Sequence, residues 1–133
     1  MRDDKWLTSL LEEMWGKHFS DIDRPNEVKV KFSRVSRTRL GSIRMSRDKK
    51  TSTILMNGLF KDPIIPRQVV EGILGHEIVH YVHGFCSPLK RKHRHPHRGG
   101  VVRSEMLMRG LQHQYQVEKV WTKENWRRET ASR

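Results

Sequence analysis

The stretch from Arg67 to His83 constrains this chain more than any other. Val69, Val70, Ile73, Leu74, Ile78, Val79 and Val82 fall on several sides of a helical projection. Pro66 stands at the first turn, where its missing N–H costs nothing, and Gly84 follows as a C-terminal stop. A helix that is apolar nearly all round is a buried helix. A chain of 133 residues has room for one such core, so 1–133 is expected to be a single domain wrapped about this helix.

The flanking segments supply the wrapping. Leu7, Leu10, Leu11, Met14 and Trp15 are spaced for one face of a helix over residues 4–19. Asp21 to Asn26, with Pro25, breaks that pattern. Val28, Val30 and Phe32 then alternate with Lys29, Lys31 and Ser33, as in a strand with one wet face. Arg39–Arg47 and Thr51–Asn57 read as two more strands, joined by a polar turn at Asp48-Lys49-Lys50, with Gly41 as a candidate bulge. Residues 86–100 form a polar loop. A last helix is expected from about Val101 to Trp121, with Leu107, Leu111 and Tyr115 at i+4 spacing and a frayed tail from Trp126. The predicted class is α+β: a small antiparallel, three-stranded sheet with an N-terminal helix, the buried helix and a C-terminal helix.

The buried helix also carries His76-Glu77-Ile78-Val79-His80, an H-E-x-x-H pattern. His76 and His80 point the same way one turn apart, and two imidazoles so placed can share one Zn²⁺. Glu77 lies a quarter turn away. It suits a general base acting on water whose pKa a metal has lowered. Two imidazoles and a carboxylate on an apolar helix need partners, and a metal supplies them. A catalytic zinc usually keeps three protein ligands. His83 lies on the same face, but seven residues at 1.5 Å each put it about 10 Å from His76 along the axis. His97, just before Gly99-Gly100 and the last helix, is the favoured third ligand, with His95 its close competitor and Glu105 the choice if that ligand is a carboxylate.

Charge bounds the partners. Lys and Arg number 27 against 15 Asp and Glu, a formal net charge of +12. An excess of that size favours polyanions, because clustered cations gain by releasing condensed counterions. The densest run is Lys90-Arg91-Lys92-His93-Arg94. No aromatic interleaves it, so Lys90, Arg91, Lys92 and Arg94 suit backbone contact rather than base stacking. No membrane-length apolar run and no secretory leader are visible, and Cys86 is the single cysteine. These features predict an intracellular protein, cytoplasmic or nuclear, with no membrane partner.

With these motifs in place, the chain resembles the SprT-like family of zinc metallopeptidases, which includes Spartan. The resemblance spans about residues 10–105. It rests on Met14-Trp15-Gly16, Glu27-Val28-Lys29-Val30-Lys31-Phe32-Ser33, Arg39-Leu40-Gly41-Ser42, Ile54-Leu55-Met56-Asn57 and the H-E-x-x-H helix. It implies a minimal zincin core without a cysteine-rich zinc module. In the family the third ligand is a His after a loop, followed by a short turn and an aromatic. His97-Arg98-Gly99-Gly100-Val101 matches in position, with Val101 in place of the aromatic, so His97 and His95 both stay open. By analogy with other zincins, Thr51–Asn57 is the expected edge strand.

The leading expectation is therefore a zinc endopeptidase. His76, His80 and His97 hold the metal, Glu77 is the base, and the substrate is a protein or peptide, which the resemblance implies is associated with nucleic acid, DNA rather than RNA. The alternative is a nucleic-acid-binding module with a structural zinc and no peptidase activity. A structural site, however, has no use for Glu77.

Overall fold

The computed structural model describes residues 1–131, with side chains through Trp126. Its class is α+β. The elements are α1 (Asp4–His18), β1 (Glu27–Phe32), β2 (Gly41–Met45), β3 (Thr51–Met56), α2 (Arg67–Val82), α3 (Val101–Met108) and α4 (Gln112–Ala131), with short 3₁₀ turns at Gly58–Lys61 and Arg98–Gly100.

Helix α1 begins where Asp3 accepts a 2.8 Å hydrogen bond from the Trp6 N–H. It buries Leu7, Leu10, Leu11, Met14 and Trp15, the stripe its spacing predicts. Asp4 ties it to the sheet by accepting from the Phe32 N–H at 2.9 Å. Along β1, Lys29 and Lys31 face water while Val30 and Phe32 join the core.

The sheet is mixed rather than antiparallel, in the order β1-β3-β2. β1 runs parallel to β3, with Glu27 opposite Thr51 and Phe32 opposite Met56. β2 pairs antiparallel with β3 through the expected turn. Thr51–Met56 is thus the central strand, not the edge. Because β2 lies between β1 and β3 in the chain, residues 33–50 are long enough to return the chain for a parallel pairing. Gly41 opens β2 instead of forming a bulge at its middle.

Buried Asn57 fixes the loop before β2. Its Nδ2 donates to the carbonyls of Ser36 (2.8 Å) and Arg39 (2.7 Å), and its Oδ1 accepts from the Leu59 N–H. A second polar chain joins β1, β3 and α2. The Tyr81 hydroxyl donates to Asn26 at 2.7 Å, Asn26 donates to the Ser52 hydroxyl at 2.9 Å, and Ser52 donates to the Cys86 carbonyl at 2.7 Å.

Helix α2 is the centre of the molecule, buried on almost every side as its composition requires. It packs on α1, on the sheet, and on α3 and α4. Gly84, at φ +82°, ends it as expected. The single helix expected after residue 100 is two, because Gly110 takes a left-handed φ of +78° that an ordinary side chain adopts only under strain. The tail expected to fray from Trp126 is helical as far as Ala131, and residues 132–133 lie outside the described residues.

Candidate metal centre

His76 and His80 stand one turn apart on α2, their ring centroids 4.6 Å from each other. The chain leaves α2, crosses Gly84 and returns through residues 85–97. Several bonds shape that return. The Ser87 hydroxyl donates to the Tyr81 carbonyl at 2.7 Å, and the Lys92 N–H donates to the His83 carbonyl at 3.0 Å. Arg91 lies over the Phe85 ring and donates to the carbonyls of His93 and Arg94. The result places His97 above α2, immediately before the 3₁₀ turn that leads into α3.

The three Nε2 atoms form a nearly equilateral triangle. His76 to His80 is 3.0 Å, His80 to His97 is 3.0 Å, and His76 to His97 is 3.2 Å. Three neutral imidazoles with protons on Nδ1 would turn three lone pairs toward one point, and a cation there removes their repulsion. The edges of a tetrahedral ion with metal–nitrogen distances near 2.0–2.1 Å are about 3.3–3.4 Å, within a few tenths of those observed. These residues can therefore hold a metal ion.

Burial keeps two of the three rings neutral. It lowers His76 to about 3, with smaller contributions from His80 and His97. It lowers His80 to about 4, aided by His97 and His83. Neutral rings keep their lone pairs for a metal at neutral pH.

Among the described residues, the other candidate ligands stand elsewhere. His95 is exposed and outside the triad. His83 is 1% exposed, and its Nε2 lies 2.9 Å from Glu105 Oε1. Glu105 also accepts from Arg109 Nε at 2.8 Å, and Arg109 reaches Asp21 and the His18 carbonyl. Glu105 is thus a strut joining the ends of α1 and α2 to α3, and it steadies the segment that follows His97. Burial pushes its carboxyl up, but hydrogen bonds from His83 and Arg109 outweigh that and hold it low.

Glu77 is 6% exposed and lines the same cleft as the triad. Burial pushes its carboxyl up to about 7, against a weaker downward pull from Arg39. A carboxyl titrating there can take and return protons near neutrality.

The cleft encloses about 550 Å³. Residues 38–43 form one wall, and α2 with Glu118, Lys119 and Trp126 of α4 form another. The edge strand over the site is β2, whose outer edge pairs with no strand among the described residues. No family model, curated protein or solved structure matches the chain.

The structure brings His76, His80 and His97 together with Glu77 beside them. It places Lys90, Arg91, Lys92 and Arg94 on the exposed loop that leads to His97. Arg91 is engaged within that loop. The role of β2 and the presence of Glu118 in the wall went unread in the sequence. Glu118 had a signal: it lies seven residues after Leu111, a charge on the apolar face of its helix.

No helix of the described residues is long and apolar enough to cross a membrane.

Proposed function

We propose that the protein is a zinc-dependent endopeptidase. The observation that carries this reading is a three-imidazole triad in an open cleft, with the half-neutral carboxyl of Glu77 beside it and an unpaired strand edge above it. Three nitrogen ligands with room left for a further one is the pattern of a catalytic zinc rather than a closed structural site. The resemblance to the SprT-like family supports the same assignment.

When bound, Zn²⁺ would polarise the scissile carbonyl and lower the pKa of water. His76, His80 and His97 hold it through Nε2. Glu77 takes a proton from the attacking water and passes it to the leaving amine. Burial supports both halves of that role, because it brings the carboxyl's affinity for the proton close to that of a neutral solution. The outer edge of β2 aligns an extended peptide by main-chain hydrogen bonds.

Association with nucleic acid, DNA in preference to RNA, is a further part of the proposal. The association rests on the net charge of +12 and on the basic loop beside His97, and the preference for DNA rests on the resemblance alone.

Metal analysis and hydrolysis of an unfolded protein substrate test the reading together. Wild type is expected to carry one zinc per chain and to cut. Glu77→Gln is expected to keep the zinc and lose activity by about 10²–10⁴-fold. A wild type that binds no zinc, or a Glu77→Gln protein that cuts at the normal rate, overturns it.

A further inference from the structure

The wall of the cleft contains a carboxylate that the hydrolytic chemistry does not use. Glu118 on α4 is 5% exposed and lines the cleft, and its buried Oε2 has no hydrogen-bond partner. The nearest cation, Lys119 Nζ, stands 3.9 Å away, beyond hydrogen-bond distance, on a side chain 52% exposed. Gln114 Oε1 and Thr122 Oγ1, one turn to either side of Glu118 on α4, are also buried without a partner. A stretch of helix selected for packing alone would carry apolar groups here, because each unpaired buried polar atom costs stability.

Glu118 is also held in place. A Cβ added at Gly72 would stand 2.7 Å from Glu118 Cβ and 2.6 Å from the Gln114 carbonyl oxygen, so α4 lies hard against α2 at this point. Gly72 is one turn before His76, about 6 Å along the axis. An extended peptide advances about 3.3 Å per residue. A peptide held at the triad and running toward this end of α2 would bring a side chain one or two residues from the bond alongside Glu118. Ile73 and Trp126 line that wall and Leu40 the other, so the approach is apolar.

We propose that this part of the cleft is a subsite for a lysine or arginine side chain of the substrate, with the Glu118 carboxylate as its counter-ion. The inference rests on the peptidase reading of the same cleft. An aliphatic stem suits the apolar approach, and an ammonium or guanidinium supplies a charge-assisted donor to the Glu118 carboxylate. Burial pushes the Glu118 carboxyl up, with Lys119 drawing it part of the way back, and a bound cation would favour the ionised form.

Two measurements test this. The first compares kcat/KM for blocked peptides that differ at one residue near the cleaved bond: Lys, norleucine or Glu. Wild type is expected to prefer Lys over norleucine by about 10–100-fold, the size of a charge-assisted hydrogen bond in a buried site. Glu118→Gln should shrink that ratio toward one, and Glu118→Asp should restore part of it. Glu118→Gln removes a buried carboxylate whose one ion-pair partner among the described residues, Lys119, stands beyond hydrogen-bond distance, so its thermal midpoint should not fall. A wild-type ratio near one, or a ratio unchanged in Glu118→Gln, overturns the subsite. The second measurement needs no hydrolysis: binding of Nα-acetyl-lysinamide and Nα-acetyl-norleucinamide to the metal-loaded protein, followed by NMR. Selective binding of the lysine compound, lost in Glu118→Gln, supports the subsite even if no peptide is cut. Cutting without any Lys preference sinks the subsite and leaves the peptidase reading standing. Neither cutting nor binding overturns both.

Discussion

Glu77 holds its charge where water cannot reach it well. Its carboxyl is raised from 4.5 to about 7 in the folded, metal-free chain. Below pH 4.5 the group is neutral in both folded and unfolded states and costs nothing. Between pH 4.5 and about 7 the unfolded state releases this proton while the folded state keeps it, and stability falls by a total on the order of 3 kcal/mol relative to a group with no shift. Glu77→Gln removes that ionisation. The metal-free variant is therefore expected to match wild type near pH 4 and to exceed it increasingly between pH 4.5 and 7. Urea unfolding at several pH values checks this, and equal stability at pH 8 would contradict the raised value. His97 makes a separate prediction at this scale. Its Nε2 closes the triad, while His95 stays outside. His97→Ala should weaken metal binding by more than the roughly 10–100-fold typical of losing an outer-shell partner. His95→Ala should change it by less than about threefold, against that same outer-shell range. Competition with a chromogenic chelator ranks the two.

The elements were legible to different depths, and the differences have physical causes. The stripe of α1 and the all-round apolarity of α2 could be read directly, because burial repeats at the helical period. The inward residues of β1 were also clear. Alternation, however, says which side chains face the core and nothing about strand direction, so the parallel pairing of β1 with β3 was hidden. The choice between His97 and His95 depended on how the loop closes. Contacts of Arg91 with Phe85 and with two carbonyls decide that, and no spacing encodes them. Helix α4 offered a charge on its apolar face at Glu118, but only its contact with α2 gives that charge a location. The tightness of this contact is testable. Gly72→Ala would put a Cβ 2.6 Å from the backbone carbonyl of Gln114, which cannot rotate away as a side chain could. α4 must move off α2, and overpacking of this kind costs about 1–3 kcal/mol. A Gly72→Ala protein as stable as wild type would mean that α4 yields without cost.

At the scale of the whole molecule, the densest run of cations and the site share one loop. The loop carrying Lys90, Arg91, Lys92 and Arg94 is the one that delivers His97, so a polyanion held by that loop would lie beside the cleft. The four cations are not equivalent. Arg91 stacks on Phe85 and donates to the carbonyls of His93 and Arg94, so its guanidinium is spent on the loop. Phe85 in turn faces the His80 ring, with centroids 6.2 Å apart, so removing Arg91 would disturb the metal site as well as the charge. Lys90, Lys92 and Arg94 are exposed, and none of their side chains forms an ion pair among the described residues. The informative variant therefore replaces these three by Ala and keeps Arg91. Each phosphate contact contributes about 0.7–0.9 to the slope of log K against log salt, so the triple variant should flatten that slope by about 2–3 units. Its zinc content should not change, because Arg91 still holds the loop that positions His97. Titration of the protein with a labelled DNA duplex between low and moderate salt measures the slope. Retention of the wild-type slope would move the polyanion to other cations, such as Lys29, Lys31 and Arg34, which are exposed on and beside β1. No binding by wild type even at low salt would remove nucleic acid from the proposal and leave the +12 charge as a solvated surface.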